Sequence, residues 1–202
     1  NDGLSRLVAY RCSRRANTNV KVAVADHGFV VSMPLNRTVD LADVLRSIAP
    51  GEVRDDLRAA LDGTELLKRY FRIDATRALM ILKRYKGYEK SAAEQQVSSE
   101  MLLSFAEGLE EFAVMEETYR EILEDRLHVE GVEEVLAGVA SGDVEVVQQT
   151  VESPTPRAFG LATLMASDVV LAEDEGEVLR AFHERVLAEL DDDASEGVAA
   201  ED

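Results

Sequence analysis

With 202 residues, 46% of them hydrophobic, the chain is long enough to bury a core as one large domain or two small ones, which excludes a disordered polymer. No apolar run approaches the roughly 20 residues needed to cross a bilayer, so no membrane span is expected. Averaged over the chain, the net charge of −18 argues against a nucleic-acid partner, because an acidic surface repels phosphate.

The average conceals a split. Residues 1–90 hold 17 Lys and Arg against 11 Asp and Glu, whereas residues 91–202 hold 5 against 29, so net charges of +6 and −24 combine to −18. One half is mildly basic beside a surface saturated with carboxylate. That saturation suits solubility in concentrated salt, and it equally suits an acidic protein that binds protein partners. Asn1-Asp2-Gly3 resembles neither a signal peptide nor a natural start, so the chain is expected to be a piece of a longer one. A lone Cys12 has no second thiol for a disulfide or a shared metal, which fits a reducing cytoplasm.

Leu4, Leu7, Val8 and Arg11 are spaced as in an amphipathic helix over Leu4 to Arg15. Alternation from Val20 to Asp26, a turn at His27-Gly28 and the apolar run Phe29 to Met33 before Pro34 predict a hairpin. Asp40 is placed to cap a helix through Ile48, and Pro50-Gly51 separates it from another over Glu52 to Leu61. From Thr64-Glu65 the spacing predicts one long helix to about Tyr85, ending at Gly87. Leu67, Phe71, Ala75, Ala78, Leu82 and Tyr85 would form its apolar back; Lys68, Arg69, Arg72, Lys83 and Lys86, extended by Arg77 and Arg84, its basic front.

Three further helices follow, from about Ser91 to Glu110, Met115 to Asp125 and Val132 to Ala140. The valine-rich stretch from Gly142 to Val151 reads as a strand, and Ser153-Pro154-Thr155-Pro156 as a rigid turn. Phe159 to Leu171 is apolar enough for a buried helix, Glu177 to Leu190 predicts the last helix, and the acidic run from Asp191 onward cannot pack. The fold class is therefore α+β: mostly helical, with a small antiparallel sheet made by a hairpin near 20–33 and a strand near 143–151. One domain is expected over 1–190, with a disordered acidic tail over 191–202. No internal repeat is visible.

Chemistry of the familiar kinds is missing. Neither G-x-x-x-x-G-K-S/T nor G-x-G-x-x-G occurs, so the chain by itself offers no phosphate loop. His27, His128 and His183 are scattered, without the close spacing of metal ligands. Acidic pairs such as Glu116-Glu117 and Glu133-Glu134 arise by chance among 40 acids and read as solvated faces. Ser98-Ser99, Ser153 and Cys12 have no neighbouring base. No catalytic activity and no metal or cofactor site are expected in this chain.

One constellation rises above this background. Eight of the 22 Lys and Arg lie between Leu67 and Lys90, opposed only by Asp74 and Glu89. Guanidinium forks suit phosphate oxygens, and Tyr70, Phe71, Tyr85 and Tyr88 lie among them with faces able to stack unpaired bases. Alternatively, the cations pair with the acids of the second half and the aromatics are core.

Several ordered strings carry a resemblance: Thr76-Arg77-Ala78-Leu79-Met80-Ile81-Leu82-Lys83-Arg84-Tyr85-Lys86-Gly87, Gln95-Gln96, Glu117 to Asp125, and Ser153 to Gly160. With Asn1 to Leu4 and Asp26 to Phe29, they resemble the DEAD/H-associated region that follows the motor and winged-helix domains in archaeal Lhr-type (large helicase-related) superfamily 2 helicases. The resemblance implies a parent in which two RecA-like lobes bind ATP and Mg and hydrolyse the nucleotide, while accessory domains hold the tracking strand during 3′-to-5′ translocation. The acidic second half suggests a salt-loving archaeal source. The partners implied are single-stranded DNA or RNA, or a hybrid duplex, and the RecA-like and winged-helix domains of the same chain. Arg69, Arg72, Arg77, Lys83, Arg84 and Lys86 are the expected phosphate contacts, with Lys90, Gln95, Gln96 and Arg157 as further candidates. The alternative is a structural module that braces the motor lobes or recruits a protein.

Overall fold

The computed structural model describes residues 1–34, 36–109, 111–151 and 155–167. In chain order its elements are helix α1 (Asp2–Ala16), strands β1 (Lys21–Ala25) and β2 (Gly28–Ser32), helix α2 (Leu41–Ser47), a 3-10 turn (Pro50–Glu52), and helices α3 (Val53–Leu61) and α4 (Glu65–Arg77). Strands β3 (Arg84–Tyr85) and β4 (Tyr88–Glu89) follow, then helices α5 (Ala92–Ala106) and α6 (Ala113–Arg120), a π-helical turn (Glu121–Arg126), and helices α7 (Val129–Ser141) and α8 (Pro156–Ser167). Two compact units result, the first built from 1–42 with the described residues beyond 145, the second from 43–145. Among the described residues no helix is long and apolar enough to cross a membrane.

In the first unit α1 forms where the spacing predicts a helix and buries Leu7 and Val8 of the expected stripe, together with Cys12 and Ala16, while Leu4 and Arg11 stay half-buried. Its end is closed by Asn17 in the left-handed region at φ 47°, a conformation that a short polar side chain tolerates. The hairpin pairs Val22 with Val31 and Val24 with Phe29. Asn1 Nδ2 donates to the carbonyls of Ala25 (3.0 Å) and Asp26 (2.7 Å), tying the start of α1 to the hairpin turn. Helix α8, opening on Pro156 where a missing N–H costs nothing, packs on both strands and buries Leu161.

The second unit is helical. Helix α4 lies against α5 and α6, and α3 against α7. The core includes Leu57, Leu61, Leu67, Phe71, Ile122 and Leu136, all essentially without exposure, with the Phe71 and Phe112 rings 6.5 Å apart. Arg58 is held between Glu116 (2.6 Å) and the Tyr119 ring (4.4 Å), while Tyr119 Oη donates to Asp62 (3.0 Å). These contacts brace α3 against α6. Burial first, then that bond to Asp62, pushes the Tyr119 phenol well above its usual range.

Two expectations fail. The run 143–151 is not a strand: Val147 is exposed, the Val144 N–H donates to the Gly138 carbonyl (2.9 Å), and the Gln148 side chain accepts from the Ala42 N–H (3.1 Å). Both sheets of the described residues are two-stranded hairpins, so this segment has no strand to pair with, and β propensity alone cannot satisfy its backbone. The long helix from Thr64 to Tyr85 stops at Arg77 instead, for a reason that bears on the site. The α+β class stands, with a hairpin at 84–89 where the spacing predicts helix. The expected helix Glu177 to Leu190, the tail 191–202, the end of the helix expected to Leu171 and most of the turn at Ser153 lie outside the described residues.

Candidate nucleic-acid interface

Helix α4 begins at Thr64, whose hydroxyl oxygen accepts from the Leu67 N–H (3.3 Å). It ends in a Schellman closure: Leu79 N–H donates to the Thr76 carbonyl (3.1 Å) and Met80 N–H to that of Ala75 (2.9 Å). The residue at the left-handed position is Leu79, at φ 60°, and not the usual glycine. Nothing in the string Ala78 to Leu82 signals a stop, because each of these residues favours helix. Ile81, buried just beyond the closure, anchors the turn. The apolar back is therefore real for Leu67, Phe71 and Ala75 but not for Ala78 and Leu82, which are exposed.

The basic stretch consequently does not form one helical ridge. Lys68, Arg69, Arg72 and Arg77 sit on α4, whereas Lys83, Arg84, Lys86 and Lys90 surround the β3–β4 hairpin. That hairpin turns at Lys86 (φ 49°) and Gly87 (φ 82°), both left-handed as a two-residue type I′ turn requires, and Lys90 N–H closes it onto the Lys83 carbonyl (2.9 Å).

The predicted contact residues differ in how free they are. Arg69 and Lys83 are exposed and hold no carboxylate among the described residues. Arg72, half-buried, donates to Gln96 Oε1, and Gln96 in turn donates to Glu100 (2.8 Å). Arg77 is paired with Asp74 (3.1 Å) and Glu121 (3.3 Å), and Arg84 with Glu89 across the hairpin (3.1 Å). Lys86 is exposed at the turn, and Gln95 donates to the Lys90 carbonyl (3.0 Å). Arg157 lies in the first unit on α8, its carbonyl 3.0 Å from His27 Nε2. Of the aromatics, Phe71 is core and Tyr88 is exposed.

These pairings are unequal. Arg84 and Glu89 are both largely exposed, and such a pair contributes ~0–1 kcal/mol, so its guanidinium can exchange a carboxylate for a phosphate. Arg77 is held to Asp74, which is only 6% exposed and whose other oxygen accepts from the Thr118 hydroxyl (2.9 Å). Beside them the Glu121 carboxyl is pushed up, by burial first and then by its bond to Asp74, with Arg77 opposing. This cluster joins α4 to the end of α6 and serves the fold.

Sequence reasoning misses a groove. Met80, Leu82 and Tyr88 form one wall with Lys90, and Met101, Leu102 and Phe105 of α5 form the other, enclosing about 570 Å³. The groove exists because α5 has two apolar faces. Ser99, Leu103 and Ala106 are buried, while Val97, Met101 and Phe105, four residues apart, are left exposed. That spacing is visible in the sequence, but spacing alone does not say which face stays open. Tyr88 is fixed there by its hydroxyl, which meets both Glu94 carboxylate oxygens at 2.9 and 3.0 Å, and Glu94 also completes the capping box with Ser91. The Ser91 N–H and hydroxyl and the Tyr88 hydroxyl hold the Glu94 carboxyl below its usual range, and Glu94 holds the Tyr88 phenol above its own.

Comparison with known proteins places this geometry in a family. The model of the DEAD/H associated family matches residues 1–158. The chain is 38% identical to ATP-dependent helicase Lhr-Core protein 2 of Thermococcus barophilus over 93% of its own length, and 40% identical to ATP-dependent helicase Lhr-Core of Saccharolobus solfataricus over 92%. It spans 22% of each of those relatives. Among solved structures, that of the Mycobacterium smegmatis helicase Lhr bound to ssDNA and AMP-PNP superposes with a TM-score of 0.66 at 25% identity, over 79% of this chain and 20% of that one. The chain belongs to the DEAD/H associated family, as the accessory region it shares with Lhr-type helicases.

Proposed function

We propose that the chain engages nucleic acid as an accessory domain of an ATP-dependent helicase, holding the tracking strand beside RecA-like motor lobes that move 3′ to 5′. ATP and Mg are assigned to those lobes, since no phosphate loop occurs in this sequence. The observation that carries the reading is that Arg69 and Lys83 present cationic heads with no carboxylate partner among the described residues, in a protein carrying 40 acids. Exposed cations that escape pairing in so acidic a chain are available to phosphate. The Mycobacterium smegmatis helicase Lhr, to which this chain is similar, binds ssDNA in its solved structure, which supports the same reading.

Reversal of both charges, Arg69→Glu with Lys83→Glu, tests it in the full-length protein. Each lost phosphate contact lowers the slope of log affinity on log salt by about 0.7 for single strands, so the double variant is expected to lose about 1.4 from the slope. Unchanged affinity and slope reject the assignment. A second reading, a module that braces the motor lobes, is favoured by the exposed apolar stripe Val97, Met101 and Phe105. It predicts that the same reversal leaves strand binding intact while Met101→Asp weakens docking onto the lobes.

A further inference from the structure

We infer that the groove between the β3–β4 segment and α5 receives unpaired bases of the strand. This rests on the proposed function and deepens it: the exposed cations supply phosphate contacts, and the groove supplies a place for the bases.

Its lining holds two exposed rings, Tyr88, 58% exposed, on β4 and Phe105, 65% exposed, on α5. Met80, Leu82 and Met101 complete an apolar lining, and thioethers pack well on aromatic faces. Stacking is indifferent to base identity because every base has a π-face, so a lining with so few hydrogen-bonding groups fits a strand read without sequence preference. The paired bases of a duplex keep their faces stacked on one another and cannot enter. A volume of about 570 Å³ accommodates bases, not the width of a helix.

Preorganisation supports the same reading. Tyr88, one of the lining residues, is not a loose surface ring, because Glu94 fixes its hydroxyl and the type I′ turn fixes its backbone. Lys90 is part of that lining, so an ammonium group borders the apolar surface, as a chain of bases linked by phosphates requires. Carboxylates are near as well: Glu94 accepts from Ser91 and Tyr88, and Glu89 pairs with Arg84.

The experiment uses the full-length protein with three probes: a single strand carrying 2-aminopurine, the same strand with abasic positions, and a blunt duplex. Bases entering the groove change the 2-aminopurine emission, and Tyr88→Ala and Phe105→Ala each lower single-strand affinity by about 5- to 150-fold while leaving the abasic strand and the duplex unaffected. Tyr88→Phe keeps the ring and is expected to retain most of the affinity, which separates stacking from loss of folding. Equal weakening on normal and abasic strands overturns the inference, as does wild-type affinity in both alanine variants. If the alanine variants bind normally while the Arg69 and Lys83 reversal does not, the groove assignment falls and the phosphate reading survives. If Phe105→Ala instead frees the motor lobes to melt separately at unchanged strand affinity, the groove holds protein and the inference is overturned.

Discussion

Replacing Thr118 with Val probes the contact that sets the end of α4. The Thr118 hydroxyl lies 2.9 Å from Asp74 Oδ2 and 2.8 Å from the Val114 carbonyl, and it has a single proton to give. Val114 is already served by the backbone of α6, so the carboxylate is the partner that suffers. Valine matches threonine in volume and leaves no cavity, while Asp74 keeps its bond to Arg77 (3.1 Å). The loss is then one hydrogen bond to a charged, almost fully buried acceptor, about 1.5–3 kcal/mol. In urea, with a slope of about 1–3 kcal/mol per molar, the midpoint should fall by about 1 M. Thr118→Ser keeps the donor and should recover most of the loss. Denaturation followed by circular dichroism measures both variants. A Val variant within about 0.5 kcal/mol of the parent refutes the claim that Asp74 depends on this donor, and with it the account of how Arg77 is held.

Leu79→Gly relieves a non-glycine residue at φ 60° whose side chain is mostly exposed, so thermal stability should rise by up to about 1 kcal/mol; a fall would deny that the closure is strained. At Gly138 an added Cβ would stand 2.8 Å from Val144 Cγ2, so Gly138→Ala should destabilise by about 1 kcal/mol, whereas in a Val144→Ala background the same change gains helix propensity and should stabilise. Failure of the sign to reverse in a double-mutant cycle would discount that contact. Glu94 titrates below the usual glutamate range, so its contribution is present above that range and lost as pH falls through its lowered value. Protection of the first-turn amides of α5, taken as exchange relative to the intrinsic rate at each pH, should therefore fall in acid, and Glu94→Gln should remove most of that pH dependence.

Much of the fold was legible because periodicity and punctuation agreed. The spacing of Leu4, Leu7, Val8 and Arg11 and the alternation of Val22 and Val24 each admitted one reading, and α1 and the first hairpin follow it. The end of α4 was illegible because the closing residue is Leu79: a left-handed leucine leaves no compositional mark, and Ile81 secures the turn only through a tertiary contact. The 143–151 run misled in the opposite way, since valine content reports compatibility with a strand and not the presence of a neighbour. For the site, composition located the basic stretch, while which cations are free depended on distant partners such as Glu121 and Gln96, whose approach no local pattern encodes. The groove needed two segments brought together, and only its α5 half leaves a trace in the sequence.

The short hairpin carries a constraint on how this region can vary. Arg84 faces Glu89 across a loop of two residues, and in a ladder of that kind side chains alternate from face to face. Inserting or deleting one residue between 85 and 88 would turn Tyr88 to the opposite face, parting it from Glu94 and emptying one wall of the groove in a single event. Spacing there is thus more restricted than identity: proteins that share this architecture can exchange the residue at 86 for another that accepts a left-handed backbone, but they cannot change the count.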